Sequence, residues 1–311
     1  MIMFDNHLMR MTGIRRRTLV IAIALMVPLT ALVGASPALA EEHHPTGDFA
    51  VFADCPLSNS ATNVCIFAQT ESGEVTIGKK TVPITKTITL QGGVHNVENA
   101  EEEVLAQEFI GAEDGNTLVK AAQPVPGGLA GLVNCTEISE PIARLACKLV
   151  FENGLTGVTA TTELAAPATS IGINNKNLLN QEGTALSLPV KVKLDNPLLG
   201  SECYIGSSSS PVTLNLTDGT TSPPEPNKPI SGKFGKLEFR DNFNLSIVRE
   251  NTLVDNSFSA PAATGCGGLL SSVIDPVVDA QLGLPSPAGT NTAIENNTLQ
   301  EAGAKAVKNS E

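Results

Sequence analysis

The chain has 311 residues and a net charge of −12, from 20 Lys and Arg against 32 Asp and Glu, with 4% aromatic residues, no Trp, one Tyr and six cysteines. Such an acidic balance repels nucleic acid and anionic membranes, so binding to a phosphate backbone is excluded as a function class. Four histidines in the whole chain leave little material for imidazole-based catalysis or zinc ligation.

Residues 14–40 read IRRRTLVIAIALMVPLTALVGASPALA, with Arg15, Arg16 and Arg17 ahead of an apolar run from Leu19 to Val33 and a small-residue ending at Ala38, Leu39 and Ala40. That is the three-part layout of a signal peptide. Pro28 interrupts the apolar run, which is short beside the roughly 20 residues of a bilayer span. The expectation is a signal peptide over 1–40, cleaved after Ala40, and a secreted, extracellular protein over 41–311 with no membrane span. The arginine run also resembles a twin-arginine export signal, although the positions after it differ, so the export route stays open. Without the leader the chain keeps 16 basic and 31 acidic residues, a net charge of −15.

All six cysteines, Cys55, Cys65, Cys135, Cys147, Cys203 and Cys266, lie beyond the leader. An even count in an exported chain reads as structural disulfides. Proximity in sequence pairs Cys55 with Cys65 and Cys135 with Cys147, which leaves Cys203 with Cys266.

In chain order, strand-like runs fall at 48–53 (DFAVFA), 63–69, 74–78, 81–91, 156–165, 184–195, 211–217, 235–240, 244–250 and 252–260. Gly, Pro, Asn and Asp punctuate them, as in ESGE and TDGTT. Helical spacing occurs in SEPIARLACKLVFENG (139–154), with Ser139 as N-cap and Ile142, Leu145 and Leu149 on one face. It recurs in GGLLSSVIDPVVDAQLG (267–283), where Leu269, Val273, Val277 and Leu270, Ile274, Val278 repeat every four residues and Pro276 predicts a kink or a division. NVENAEEEVLAQEFIG predicts a surface helix or an acidic excursion near 95–116. TSPPEPNKPISG reads as an exposed connector, and residues near 300–311 as a polar tail. The fold class expected is all-β: a single disulfide-stapled β-sandwich, or a barrel-like domain, with one or two short helices.

Chemistry is scarce along this chain. Beyond the leader, histidine occurs only at His43, His44 and His95, and there is no G-x-S-x-G elbow or H-E-x-x-H. Glu113, Asp114 and Asn116 supply oxygen ligands for calcium, but at no EF-hand spacing, and a turn explains them equally. The stretch DNPLLGSECYIGSSSS, with Cys203, Tyr204 and Ser207 to Ser210, raises a nucleophile loop, yet no histidine lies near it in sequence. A staple followed by a polar turn is the reading it supports.

The segments FADCPLSNSATNVCIFAQTESGEVTIGKKTVPI, LPVKVKLDNPLLGSECYIGSSSSPVTLNL and LVDNSFSAPAATGCGGLLSSVIDPVVDAQLGLPSP resemble those of a family of uncharacterised secreted actinobacterial proteins. The resemblance implies secretion and assigns no activity, cofactor or site. The function expected is that of a non-catalytic extracellular or cell-surface protein, a binding or structural module whose partner is not specified. The alternatives are a carboxylate-dependent hydrolase of glycans and, from the aliphatic segment GGLLSSVIDPVVDAQLGL, an apolar-ligand carrier. No catalytic, metal-binding or cofactor-binding residue is assigned.

Overall fold

Period-two alternation places successive side chains on opposite faces of a strand, and among the described residues fifteen strands form. In the computed structural model, which describes residues 43–98, 105–131, 139–142, 144–145 and 157–311, they are β1 (Val64–Ile77), β2 (Lys80–Ile84), β3 (Ile88–Glu98), β4 (Leu105–Gly111), β5 (Leu118–Val119), β6 (Gln123–Pro124), β7 (Thr159–Leu164), β8 (Gly172–Ile173), β9 (Leu186–Asp195), β10 (Tyr204–Ile205), β11 (Val212–Leu216), β12 (Lys236–Arg240), β13 (Leu245–Asp255), β14 (Ala263–Thr264) and β15 (Thr292–Gly303). All belong to one sheet, within one compact unit that spans Ala40–Glu311. The all-β expectation holds.

The sheet closes on itself. Antiparallel neighbours run β13–β15–β1–β3–β4, pass from β4 to β8 through the single pair Glu108 and Gly172, and continue β8–β9–β11. The circuit returns to β13 just after β11, where Thr217 N–H donates to Val254 O at 3.0 Å and Val254 N–H donates to Thr217 O at 2.8 Å. Eight strands joined in this way form a barrel, which leaves no free edge around the ring. β12 pairs only with β13. Its exposed Leu237 and Phe239 stand among the ion pairs of Glu238 with Arg240 and Arg249 and of Lys236 with Glu250.

Beside β3 the wall has a second course. β2 pairs with β1, β6 with β7 and β7 with β9, and the gap between β2 and β6 is bridged by one side chain. Gln123 Oε1 accepts the N–H groups of Thr85 at 2.8 Å and Lys86 at 2.9 Å, while its Nε2 donates to Lys86 O at 2.7 Å. A side-chain amide here stands in for a missing rung of backbone.

Two strands are longer than the sequence pattern suggests. The runs at 63–69 and 74–78 are one strand, β1, with a bulge between Thr70 and Ser72. Gly73 follows it with φ +138, where a Cβ would lie 2.0 Å from Ile294 O, so only glycine lets β15 approach. The runs at 244–250 and 252–260 join likewise in β13 across an irregularity between Val248 and Asn251.

DFAVFA is not a strand. Gly47–Phe52 is a 3-10 helix that buries Phe49 and Phe52, a three-residue spacing that alternation cannot place on one face. The acidic stretch is not helical where it is described: β3 runs to Glu98 and β4 begins at Leu105. The segment near 300–311 is no free tail either, because β15 ends at Gly303 and the helix Ala304–Asn309 buries Ala304 and Val307. Of the helix expected at 139–154 only 139–142 and 144–145 are described; Arg144 N–H donates to Glu140 O at 2.9 Å. Pro276 lies inside one unbroken helix, Ser271–Leu282, that ends at Gly283 with φ +71. Val278 and Leu282 are buried on it, whereas Leu269, Leu270 and Val273 face outward.

A second, smaller core lies apart from the main one and joins Phe49, Phe52, the Cys55–Cys65 bridge, Leu245, Ile247, Ala302, Ala304 and Val307. It packs the first and last described segments against β1, β13 and β15, where Thr46 Oγ1 donates to Ser310 O and His43 Nδ1 lies 2.7 Å from Glu311 Oε1.

Candidate functional site: an apolar lumen

The same alternation that makes the strands lines an interior space. Leu186, Leu188, Val190, Val192 and Leu194 of β9, Ile66 and Ala68 of β1, Val212 and Leu214 of β11 and Leu299 of β15 all border one cavity. Past the β1 bulge the facing parity changes, so that Val75 and Ile77 continue the lining. The cavity measures about 170 Å³ as the space open to the centre of a water-sized sphere, roughly ten times what one water needs by that measure. Its wall is aliphatic apart from Phe258 and a polar set of Thr70, Lys80, Gln123, Thr162, Asn175, Asn251, Glu295, Asn297 and Glu301.

Most of the polar set is engaged with the protein. Asn251 Nδ2 donates to the carbonyls of Lys233 and Phe234 at 3.1 and 3.0 Å, and Gln123 holds the wall as described. Glu301 receives Asn175 Nδ2 on both oxygens, at 2.9 and 3.1 Å, and burial pushes its carboxyl above the usual range against that hydrogen bond. Glu295 is more weakly held. The Thr70 hydroxyl lies 3.3 Å from Glu295 Oε2 but only 2.6 Å from Asn297 Oδ1, and Asn297 Nδ2 donates at 3.0 Å to the Glu295 backbone carbonyl. Desolvation pushes the Glu295 carboxyl up to about 7.

Glu295 and Glu301 share a face because they are six residues apart on β15. That separation is roughly 20 Å along a strand, far beyond the about 5 to 9.5 Å that glycosidase carboxyl pairs require. With one phenylalanine and no other aromatic in the lining, the lumen also lacks the flat surfaces that stack on sugar rings.

The residues singled out in the sequence fall outside this lumen. Cys55–Cys65 and Cys203–Cys266 are disulfides, with Cα separations of 5.4 and 4.1 Å, while Cys135 and Cys147 lie outside the described residues, as does the segment 1–40 expected to be a signal peptide. Ser207 and Ser210 exchange backbone hydrogen bonds in a tight turn, and Lys191 Nζ sits 4.2 Å over the Tyr204 ring. His95 Nδ1 lies 2.8 Å from Ala61 O. Asp114 Oδ1 accepts Asn116 N–H at 2.7 Å, an Asx turn, and the Ser58 hydroxyl donates to Glu113. Among the described residues no three His, Cys, Asp or Glu side chains gather as a metal site. The helix 271–282 contributes Leu282 to the lumen, and its Asp275 and Asp279 accept Cys266 N–H and Ala263 N–H, each at 2.7 Å.

Sequence reasoning missed Glu295 and Glu301. The signal was present in TAIENNTLQEAG, where Ala293, Glu295, Asn297, Leu299 and Glu301 occupy one face, but glutamates at inward positions read as surface. The chain matches no family model, no curated protein and no solved structure.

Proposed function

We propose that this chain is a non-catalytic extracellular binding protein that carries an aliphatic ligand in the barrel lumen. The observation that carries the reading is the cavity itself: a wall made mostly of Leu, Ile, Val and Ala side chains around unfilled space. Protein interiors are otherwise close-packed, and a mostly apolar pocket with a few placed polar groups is the usual form of a small-molecule site. The two disulfides fit an oxidising compartment, and the leader and the resemblance to secreted actinobacterial proteins support export. Among the described residues no helix is long and apolar enough to cross a membrane.

Ala68 lies mid-strand on β1, opposite Leu299 and Leu90, and borders the lumen. Ala68→Phe is expected to fill the space and weaken binding of N-phenyl-1-naphthylamine about tenfold or more, with the strand signature in circular dichroism retained. Equal fluorescence titrations for the parent and the variant would count decisively against the lumen as the site.

A further inference from the structure

The lumen is supplied unevenly with hydrogen-bonding groups. At one end Glu301 has both oxygens engaged by Asn175. At the Glu295 end the donors are used internally: the Thr70 proton goes to Asn297 and the Asn297 amide goes to a backbone carbonyl. What remains there is a hydroxyl lone pair and a carboxyl group that is an acceptor on both oxygens once ionised, so a cationic head that donates suits both.

Charge points the same way. The ionisable residues that line the lumen are Glu295, Glu301 and Lys80. In register, Glu295 lies across from Gly73, whereas Lys80 lies across from Ile77, four residues further along β1. That is roughly 13 Å along a strand, so the Glu295 position is acidic on its own account. An anionic head placed there would meet like charge wherever Glu295 is ionised, in a desolvated space. The aliphatic wall, with Phe258 its single aromatic ring, suits an extended hydrocarbon chain.

We propose that the ligand of the lumen is a single-chain aliphatic amine, whose ammonium group is held by Glu295 with Thr70 and Asn297 beside it. The inference rests on the lumen being the binding site and adds the chemistry of the head group. An ammonium brings three donors and a compensating charge, and an alcohol brings one donor. A carboxylate brings none. Because the free Glu295 carboxyl sits at about 7, capture of a cation near neutral pH shifts it to the ionised form and releases a proton.

The test is calorimetric titration of the whole chain with dodecylamine, dodecanol and dodecanoate, which share one tail. The amine is expected to bind about tenfold more tightly than the alcohol, the advantage of hydrogen bonds to a charged group, and the carboxylate is expected to bind most weakly. Repeating the amine titration in buffers of different ionisation enthalpy should show proton release. Glu295→Gln is expected to bring the amine down to the level of the alcohol. Glu301→Gln should preserve the amine-to-alcohol ratio. A carboxylate that binds as tightly as the amine, or an amine preference that survives Glu295→Gln, overturns the head-group assignment while the lumen stands. If none of the three binds, the lumen reading itself is lost.

Discussion

The carboxyl of Glu295 is displaced from an ordinary value of 4.5 to about 7 because burial disfavours its charged form, and displacement of that kind is also a statement about stability. Between those two values the folded chain keeps a proton that the unfolded chain releases. The favourable contribution is therefore complete below about 4.5 and is lost as pH rises through about 7. Asp218 acts with the same sign: the residue is 1% exposed, its carboxyl has no hydrogen-bond partner on any other described residue, and burial carries it to about 6. Glu295→Gln keeps the shape and removes the charge. In thermal melts its midpoint is expected to match that of the parent at about pH 4.5 and to exceed it by a few degrees at about pH 8. A variant that melts lower than the parent at the alkaline end would show that the ionised carboxylate is supported by contacts other than those to Thr70.

At the scale of elements, Gln123 shows how a wall can be closed without a strand. Replacing it with Leu leaves the N–H groups of Thr85 and Lys86 and the carbonyl of Lys86 without their partner. The expected loss is about 2 to 4 kcal/mol in urea unfolding, and a change below about 0.5 kcal/mol would show that water fills the gap. Such a joint is invisible in sequence, where Gln123 is one polar residue between alanine and proline. Strand positions were far more legible, because alternating apolar residues mark them directly. Breaks were less so: the turn signal ESGE (71–74) and the gap at Asn251 between the runs 244–250 and 252–260 read as separators, but they fall at irregularities inside β1 and β13. Where the acidic stretch is described, pairing of β3 with β4 over Gly92–Glu98 holds Asn96, Val97 and Glu98 in a strand. The lumen could not be read at all. An inward Leu or Val follows the same period whether it packs against a neighbour or borders empty space.

For the whole molecule, the barrel and its two cores divide the work. The smaller core and the Cys55–Cys65 bridge fasten the β13–β15–β1 wall, and Cys203–Cys266 ties β10 to the segment that leads into the helix 271–282. Of the two stapled regions, the β13–β15–β1 wall is the one joined by long ladders. Elsewhere the barrel's backbone pairing is thin, with one residue pair between β4 and β8 and two hydrogen bonds between Thr217 and Val254. These joins are helped by the side chains of Gln107 and Asp255, which accept the N–H groups of Asn175 and Asn215. Sparse joins open locally at much lower cost than long ladders do, and this sets a timing for the molecule. A ligand that enters through a parted seam must wait for it, so the binding rate in stopped-flow fluorescence is expected to level off as ligand concentration rises, at the rate of seam opening. A rate that keeps climbing in proportion to concentration would instead reveal a mouth that is always open. With a gated wall, how tightly a chain is held depends on the lumen and how soon it arrives depends on two short stretches of backbone.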